Sequence, residues 1–151
     1  MTTYSRKVLA YVTHGGRLLV FRHPDAPEAG IQVPAGTIEQ DEPPEEAVLR
    51  EAWEETGLTR LRLVRLLGTS VRDMADFGRD EMQHRWFYHL RCEETPPTTW
   101  RHWETHPSEG DPAVPILFEL FWARLPDEVP DLAADQGRML PLLLASLSDD
   151  V

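Results

Sequence analysis

One stretch, Gly36 to Leu58 (GTIEQDEPPEEAVLREAWEETGL), constrains this chain more than any other. Pro43 and Pro44 suit the entry of a helix, where a missing N–H is harmless. Gly57 suits the exit, as a left-handed residue just past the last turn. Between them Glu45, Glu46, Ala47, Leu49, Arg50, Glu51, Ala52, Glu54 and Glu55 are good helix formers and predict about three turns. On such a helix Glu51, Glu54 and Glu55 stand three and four residues apart and share one face with the small Ala47. Val48, Leu49, Ala52 and Trp53 are expected on the other side, buried against a core.

Crowding three carboxylates on one stripe costs a helix a few tenths of a kcal/mol per pair, roughly. A hard divalent cation offsets that cost, because Mg²⁺ and Mn²⁺ prefer oxygen ligands and neutralise the cluster. The plainer reading is a solvated acidic face. The spacing of Gly36, Glu42, the Arg50-Glu51 pair and Gly57 weighs against it.

Those spacings resemble the Nudix box, G-x5-E-x7-R-E-U-x-E-E-x-G-U with U aliphatic. Gly36, Glu42, Arg50, Glu51, Ala52, Glu54, Glu55, Gly57 and Leu58 fill its positions. The preceding Gln32-Val33-Pro34-Ala35 is similar to the family's lead-in, with Ala35 where a glycine is frequent. The resemblance implies an α/β Nudix fold, a mixed β-sheet sandwiched between helices. It also implies metal-dependent hydrolysis of a diphosphate linkage in a nucleoside diphosphate joined to another group X. On that basis Glu51, Glu54, Glu55 and the Gly36 carbonyl are the expected ligands of Mg²⁺ or Mn²⁺. Glu51 or Glu54 is the expected base, and Glu42 is expected to brace the loop against the helix. Arg50 cannot ligate a cation, but four residues before Glu54 it can aim a carboxylate. The family often recruits an acid from outside the box: Glu109 is the first candidate, followed by Glu104 and Glu119. Dimerisation is a further implication of the resemblance.

A chain of 151 residues is one domain's worth, so residues 1–151 are expected to form a single unit. The net charge of −11 argues against duplex nucleic acid or an anionic membrane surface as partner. Eight of the 26 acids lie between Glu39 and Glu55. A polyphosphate would be repelled by such a surface unless bound cations mediate, and a small-molecule nucleotide is the expected partner. Cys92 is the only cysteine, which fits a reducing cytoplasm. The first residues, MTTYSRKVLAYV, lack the apolar run of a signal peptide, and no stretch has the apolar length of a membrane span.

Lys7–Val12 and Arg17–His23 read as strands joined at Gly15-Gly16. Arg22, at the second strand's end, is a candidate for the substrate phosphates, since a guanidinium matches their geometry. Ile31–Val33 reads as a short strand stopped by Pro34. Gly36 is expected to adopt a backbone geometry other residues resist. Leu61–Val71 reads as one strand, 72–83 as a loop, and His84–Cys92 as a strand. In the last, Trp86, Tyr88, Leu90 and Cys92 face one way; Arg85, Phe87, His89 and Arg91 face the other. Thr98–Trp103 and Ile116–Leu125 complete the strands, with a loop between. Leu140–Leu147 reads as a closing helix with Pro141 in its first turn. Trp100, Trp103, Trp122, Tyr88 and Phe87 could stack a base, although aromatics are more often core. Two rival functions remain open: a nucleotide-binding module that has lost catalysis, and a pyrophosphohydrolase acting on RNA 5′ ends.

Overall fold

The computed structural model describes residues 1–105 and 114–148. In chain order the strands are β1 (Thr3–His14), β2 (Arg17–Arg22), β3 (Ala35–Thr37), β4 (Leu61–Asp73), β5 (Glu81–Cys92), β6 (Thr99–Glu104) and β7 (Ile116–Arg124). The helices are α1 (Pro44–Thr56), between β3 and β4, and α2 (Leu140–Ser148), after β7. The strands form one mixed sheet in the order β4-β5-β1-β2-β7-β6, with β3 paired to β1. β1 and β5 run parallel from Thr3↔Glu81 to Thr13↔Arg91, and the other pairings are antiparallel.

β1 and β2 touch only beside their turn, at Thr13↔Leu18 and His14↔Arg17. Beyond that they diverge, and the chain from Ile31 to Ile38 threads the gap. Gln32 bridges to Phe21, while Leu9↔Ala35, Val8↔Gly36 and Lys7↔Thr37 pair β3 with β1. Backbone bonds from Ala10 N to Pro34 O (2.8 Å) and from Ile38 N to Arg6 O (2.9 Å) close both ends of this graft. Gly36 therefore lies inside the sheet, directly beneath α1.

Alternation along the strands divides the apolar residues into two cores. Val8, Ala10, Val12, Leu19, Tyr88, Leu90 and Leu120 pack beneath α1 with Ala47, Val48 and Ala52. Leu9, Tyr11, Leu18, Val20 and Phe87 pack on the opposite face with Met139 and Leu143 at α2. The sheet is thus covered by a helix on each side, and the alternation expected for β5 is observed. No helix among the described residues is long and apolar enough to cross a membrane.

Several boundaries differ from the sequence expectation. Ile31–Val33 makes isolated bridges rather than a strand, and the strand is β3, four residues later. β4 runs on to Asp73 with irregularities between Leu63 and Arg65 and between Leu66 and Gly68. The loop expected over 72–83 shrinks to a 3-10 turn at Ala75–Phe77, because β5 already starts at Glu81.

Candidate active site

α1 begins after Pro43 and ends at Gly57, whose φ of 76° is left-handed and whose N–H bonds Trp53 O at 2.8 Å. Its buried residues are Ala47, Val48, Glu51, Ala52, Glu55 and Thr56. The carboxylates therefore do not all sit on a face opposite the core. Glu51 and Glu55 lie within the buried face, and Glu54 lies on its flank. Trp53 is 54% exposed, which corrects its expected burial. With 3.6 residues per turn, turning Glu51 and Glu55 inward carries position 53 outward.

Gly36 explains how a glutamate fits there. A Cβ built on Gly36 would fall on the Glu51 carboxylate. The glycine serves close approach and not an unusual dihedral, since it is absent from the residues of positive φ. That corrects the backbone reading made from sequence. The other buried glutamate, Glu55, accepts a 2.7 Å bond from Ala35 N, at the start of β3.

β6 faces α1 with alternate side chains. Trp100 Nε1 donates to Thr56 O (2.8 Å), and His102 Nε2 bonds Glu54 O (2.7 Å). Two of the carbonyls that a helix end leaves without an internal partner are thus held by one strand. The next residue on that face is Glu104. Ligand atoms of Glu51, Glu55 and Glu104 lie within 4.8 Å of one another, with side chains buried at 4%, 7% and 2% exposure.

Arg50 organises the flank. It donates to Glu42 (2.8 and 2.9 Å), Glu51 (2.9 Å), Glu54 (3.2 Å) and Thr37 O (3.0 Å). Glu42 also accepts from Glu39 N at 3.0 Å, so it ties the loop to the helix. Hydrogen bonds from Arg50 hold the Glu42 carboxyl below its ordinary range. Burial pushes Glu51 up to about 7, against the pull of Arg50 and with the help of Glu54 and Glu104. Burial, then the charge of Glu51, pushes Glu55 well above the usual carboxylate range. Buried carboxylates that resist ionisation, at a helix end with no basic residue in its last turn, form a donor set suited to a hard cation.

The remaining candidates fare differently. Arg22 is half exposed, pairs with Glu119 at 3.6 Å and lies over the Phe121 ring at 4.6 Å. It is not among the residues lining the cleft beside the glutamates. The next residue, His23, does line that cleft. Glu119 is occupied with Arg22 and Arg101, so Glu104 alone of the two later candidates joins the cluster. Glu109 lies outside the described residues. Of the aromatics considered from sequence, Phe87 and Tyr88 are core, and Trp100 and Trp122 bond backbone carbonyls. The cleft instead holds Phe21, Phe77 and Phe118, which sequence reasoning passed over. Its volume is about 180 Å³, and Lys7, Arg79 and Arg85 line it together with Gly36, Glu55 and Glu104.

A family model described as NUDIX domain matches residues 3–143, nearly the whole described fold. The chain belongs to the Nudix hydrolase family. An RNA pyrophosphohydrolase of Gluconacetobacter diazotrophicus is 46% identical over 65 residues, 38% of this chain and 39% of that protein. The chain thus matches well under half the length of that curated relative. Among solved structures, a MutT NUDIX hydrolase from Burkholderia pseudomallei is 26% identical with TM-score 0.60, covering 93% of this chain and 98% of that one. A UDP-X diphosphatase has TM-score 0.66 at 17% identity, covering 100% of this chain and 66% of that chain, and so shares the fold.

Proposed function

We propose that this Nudix protein is a pyrophosphohydrolase of small nucleotides, cleaving the diphosphate linkage of a nucleoside diphosphate joined to a group X, with Mg²⁺ or Mn²⁺. The convergence of Glu51, Glu55 and Glu104 in a buried site carries this reading. A divalent ion held there supplies charge stabilisation for the phosphoanhydride and acidifies a bound water. Glu51, Glu55 and Glu104 would hold it, joined by the Gly36 carbonyl. Glu54 stands outside the group of three, held by Arg50, and is assigned the proton from the attacking water. Arg50 keeps the carboxylates of Glu51 and Glu54 aimed and cannot itself ligate a cation. The buried Cys92 suits a reducing compartment such as the cytoplasm.

The test is a panel of nucleoside triphosphates and nucleoside diphosphate derivatives, assayed with Mg²⁺ and with EDTA and scored for phosphate against pyrophosphate release. Metal-dependent turnover is expected, and equal turnover in EDTA refutes the metal role. The similarity to an RNA pyrophosphohydrolase favours one second reading, action on triphosphorylated RNA 5′ ends. A net charge of −11 weighs against a long nucleic acid. A triphosphorylated oligoribonucleotide in the same panel separates the two, because preference for it over every mononucleotide would establish the second.

A further inference from the structure

His23 follows directly on β2, and its ring is fixed by two edge-on aromatic contacts. It meets Phe21 at 5.5 Å and 60°, and Phe118 at 5.0 Å and 82°. Those two rings stack on each other at 4.3 Å. The imidazole is thus held in one orientation before any ligand arrives. Its Nε2 is shielded from solvent and has no hydrogen-bond partner among the described residues. A buried polar atom without a partner is uncommon in folded proteins and needs a reason. His23 lines the same cleft as Glu55 and Glu104, which gives the missing partner a place to sit.

The surroundings narrow the partner's chemistry. On this side Phe21, Ala29, Ile116 and Phe118 line the cleft, and the polar side chain beside them, Gln32, donates its amide to Ala29 O at 3.1 Å. Burial favours the neutral imidazole, with the nearby Glu28 opposing it. A phosphate here would bring its charge against apolar walls and a neutral ring. The charged groups suited to a phosphate chain lie elsewhere in the cleft, at Lys7, Arg79 and Arg85 and at the glutamate cluster. A nucleobase meets both demands, since it offers apolar faces to the phenylalanines and an uncharged polar edge to one ring nitrogen.

We propose that His23 is a specificity-determining residue whose Nε2 hydrogen-bonds the base edge of the bound nucleotide. The inference rests on the small-nucleotide reading above. The experiment follows the side-chain ¹⁵N resonances of the histidines while protein in millimolar Mg²⁺ is titrated with AMP, GMP, CMP, UMP and base-free ribose 5-phosphate. At least one nucleotide is expected to shift the His23 Nε2 signal strongly, and ribose 5-phosphate to leave it in place. His23→Ala should reduce the spread of affinities among the four nucleotides from about tenfold to about twofold. It should leave ribose 5-phosphate binding unchanged, and His23→Gln, which keeps a hydrogen-bonding group, should restore part of the spread. An equal Nε2 shift with ribose 5-phosphate, or an unchanged base ranking in His23→Ala, overturns the proposal. Either result leaves the hydrolase reading standing if wild-type protein turns over the panel with metal. A wild-type protein that binds none of the five ligands overturns the His23 contact itself.

Discussion

Glu51 is the residue whose surroundings ask most of it. It is buried, it abuts Gly36, and its carboxyl is pushed up to about 7 by desolvation. The unfolded chain ionises the same group near 4.5. Between those values the metal-free folded state binds more protons than the unfolded state, so its stability falls as pH rises. Glu55, also raised by burial, acts in the same direction. Glu42 is depressed by Arg50, so its contribution is present above about 4.5 and fades as pH falls below that. The melting temperature in EDTA should therefore peak near about pH 5 and decline toward about pH 8, and Glu51→Gln should flatten the decline. Calorimetry in EDTA checks this, and a melting temperature that rises from pH 5 to 8 would contradict it. Roles among the carboxylates separate by a second measurement. Glu104→Gln and Glu55→Gln should lose both activity and the thermal shift given by millimolar Mg²⁺. Glu54→Gln should lower kcat by roughly two to four orders of magnitude while keeping that shift. The sequence displayed Glu51, Glu54, Glu55 and Arg50 because one helix carries them. It could not single out Glu104, because whether that acid reaches the cluster depends on strand register. The usable signal was the alternation Trp100, His102, Glu104, three side chains on one face. Arg22 misled for a related reason: strand parity sends residue 22 to Glu119 and residue 23 to the cleft.

Among the elements, β6 couples architecture to chemistry most directly. It holds the end of α1 through Trp100 and His102 and delivers Glu104 to the same place. His102→Ala leaves the Glu54 carbonyl without that partner and should cost about 1–2 kcal/mol in urea unfolding. Because Glu55 follows Glu54 on the helix, the substitution should also weaken the Mg²⁺-induced thermal shift. Trp100→Phe keeps most of the ring's packing and loses only the bond to Thr56 O, so about 1 kcal/mol is expected with the Mg²⁺ response retained. Equal loss of the Mg²⁺ response in both variants would mean that β6 acts on the site only through stability. α1 was legible because propensity, prolines and Gly57 agree on it. β3 was not, because Ala-Gly-Thr has little strand preference of its own and pairs only where β1 and β2 separate. The early part of β1 was missed for a similar reason. Thr3–Arg6 is polar and pairs with the equally polar Glu81–His84, stabilised by contacts such as Ser5 Oγ to Glu81 at 2.6 Å, which no hydropathy pattern reveals.

At the level of the whole molecule, the charge of −11 and the glutamate cluster make separable demands on cations. Diffuse repulsion among surface acids is relieved by any salt, and screening is largely complete once the Debye length falls to about 10 Å, near 0.1 M. A built site responds to ion identity and saturates. In EDTA, NaCl up to about 0.2 M should raise the melting temperature by a few degrees without saturating at low concentration. Adding Mg²⁺ at that NaCl concentration should produce a further rise that follows a binding curve. At about a hundred times the dissociation constant, a single site contributes about 2.7 kcal/mol. For a chain of this size that is about 5–10 °C. Glu104→Gln removes one of 26 acidic residues and should barely alter the NaCl response, yet it should abolish most of the Mg²⁺ increment. If instead the Mg²⁺ increment vanished in 0.2 M NaCl for the wild-type protein, the cation would be acting on the surface at large. Glu51, Glu55 and Glu104 would then be a crowded structural cluster and not a metal site.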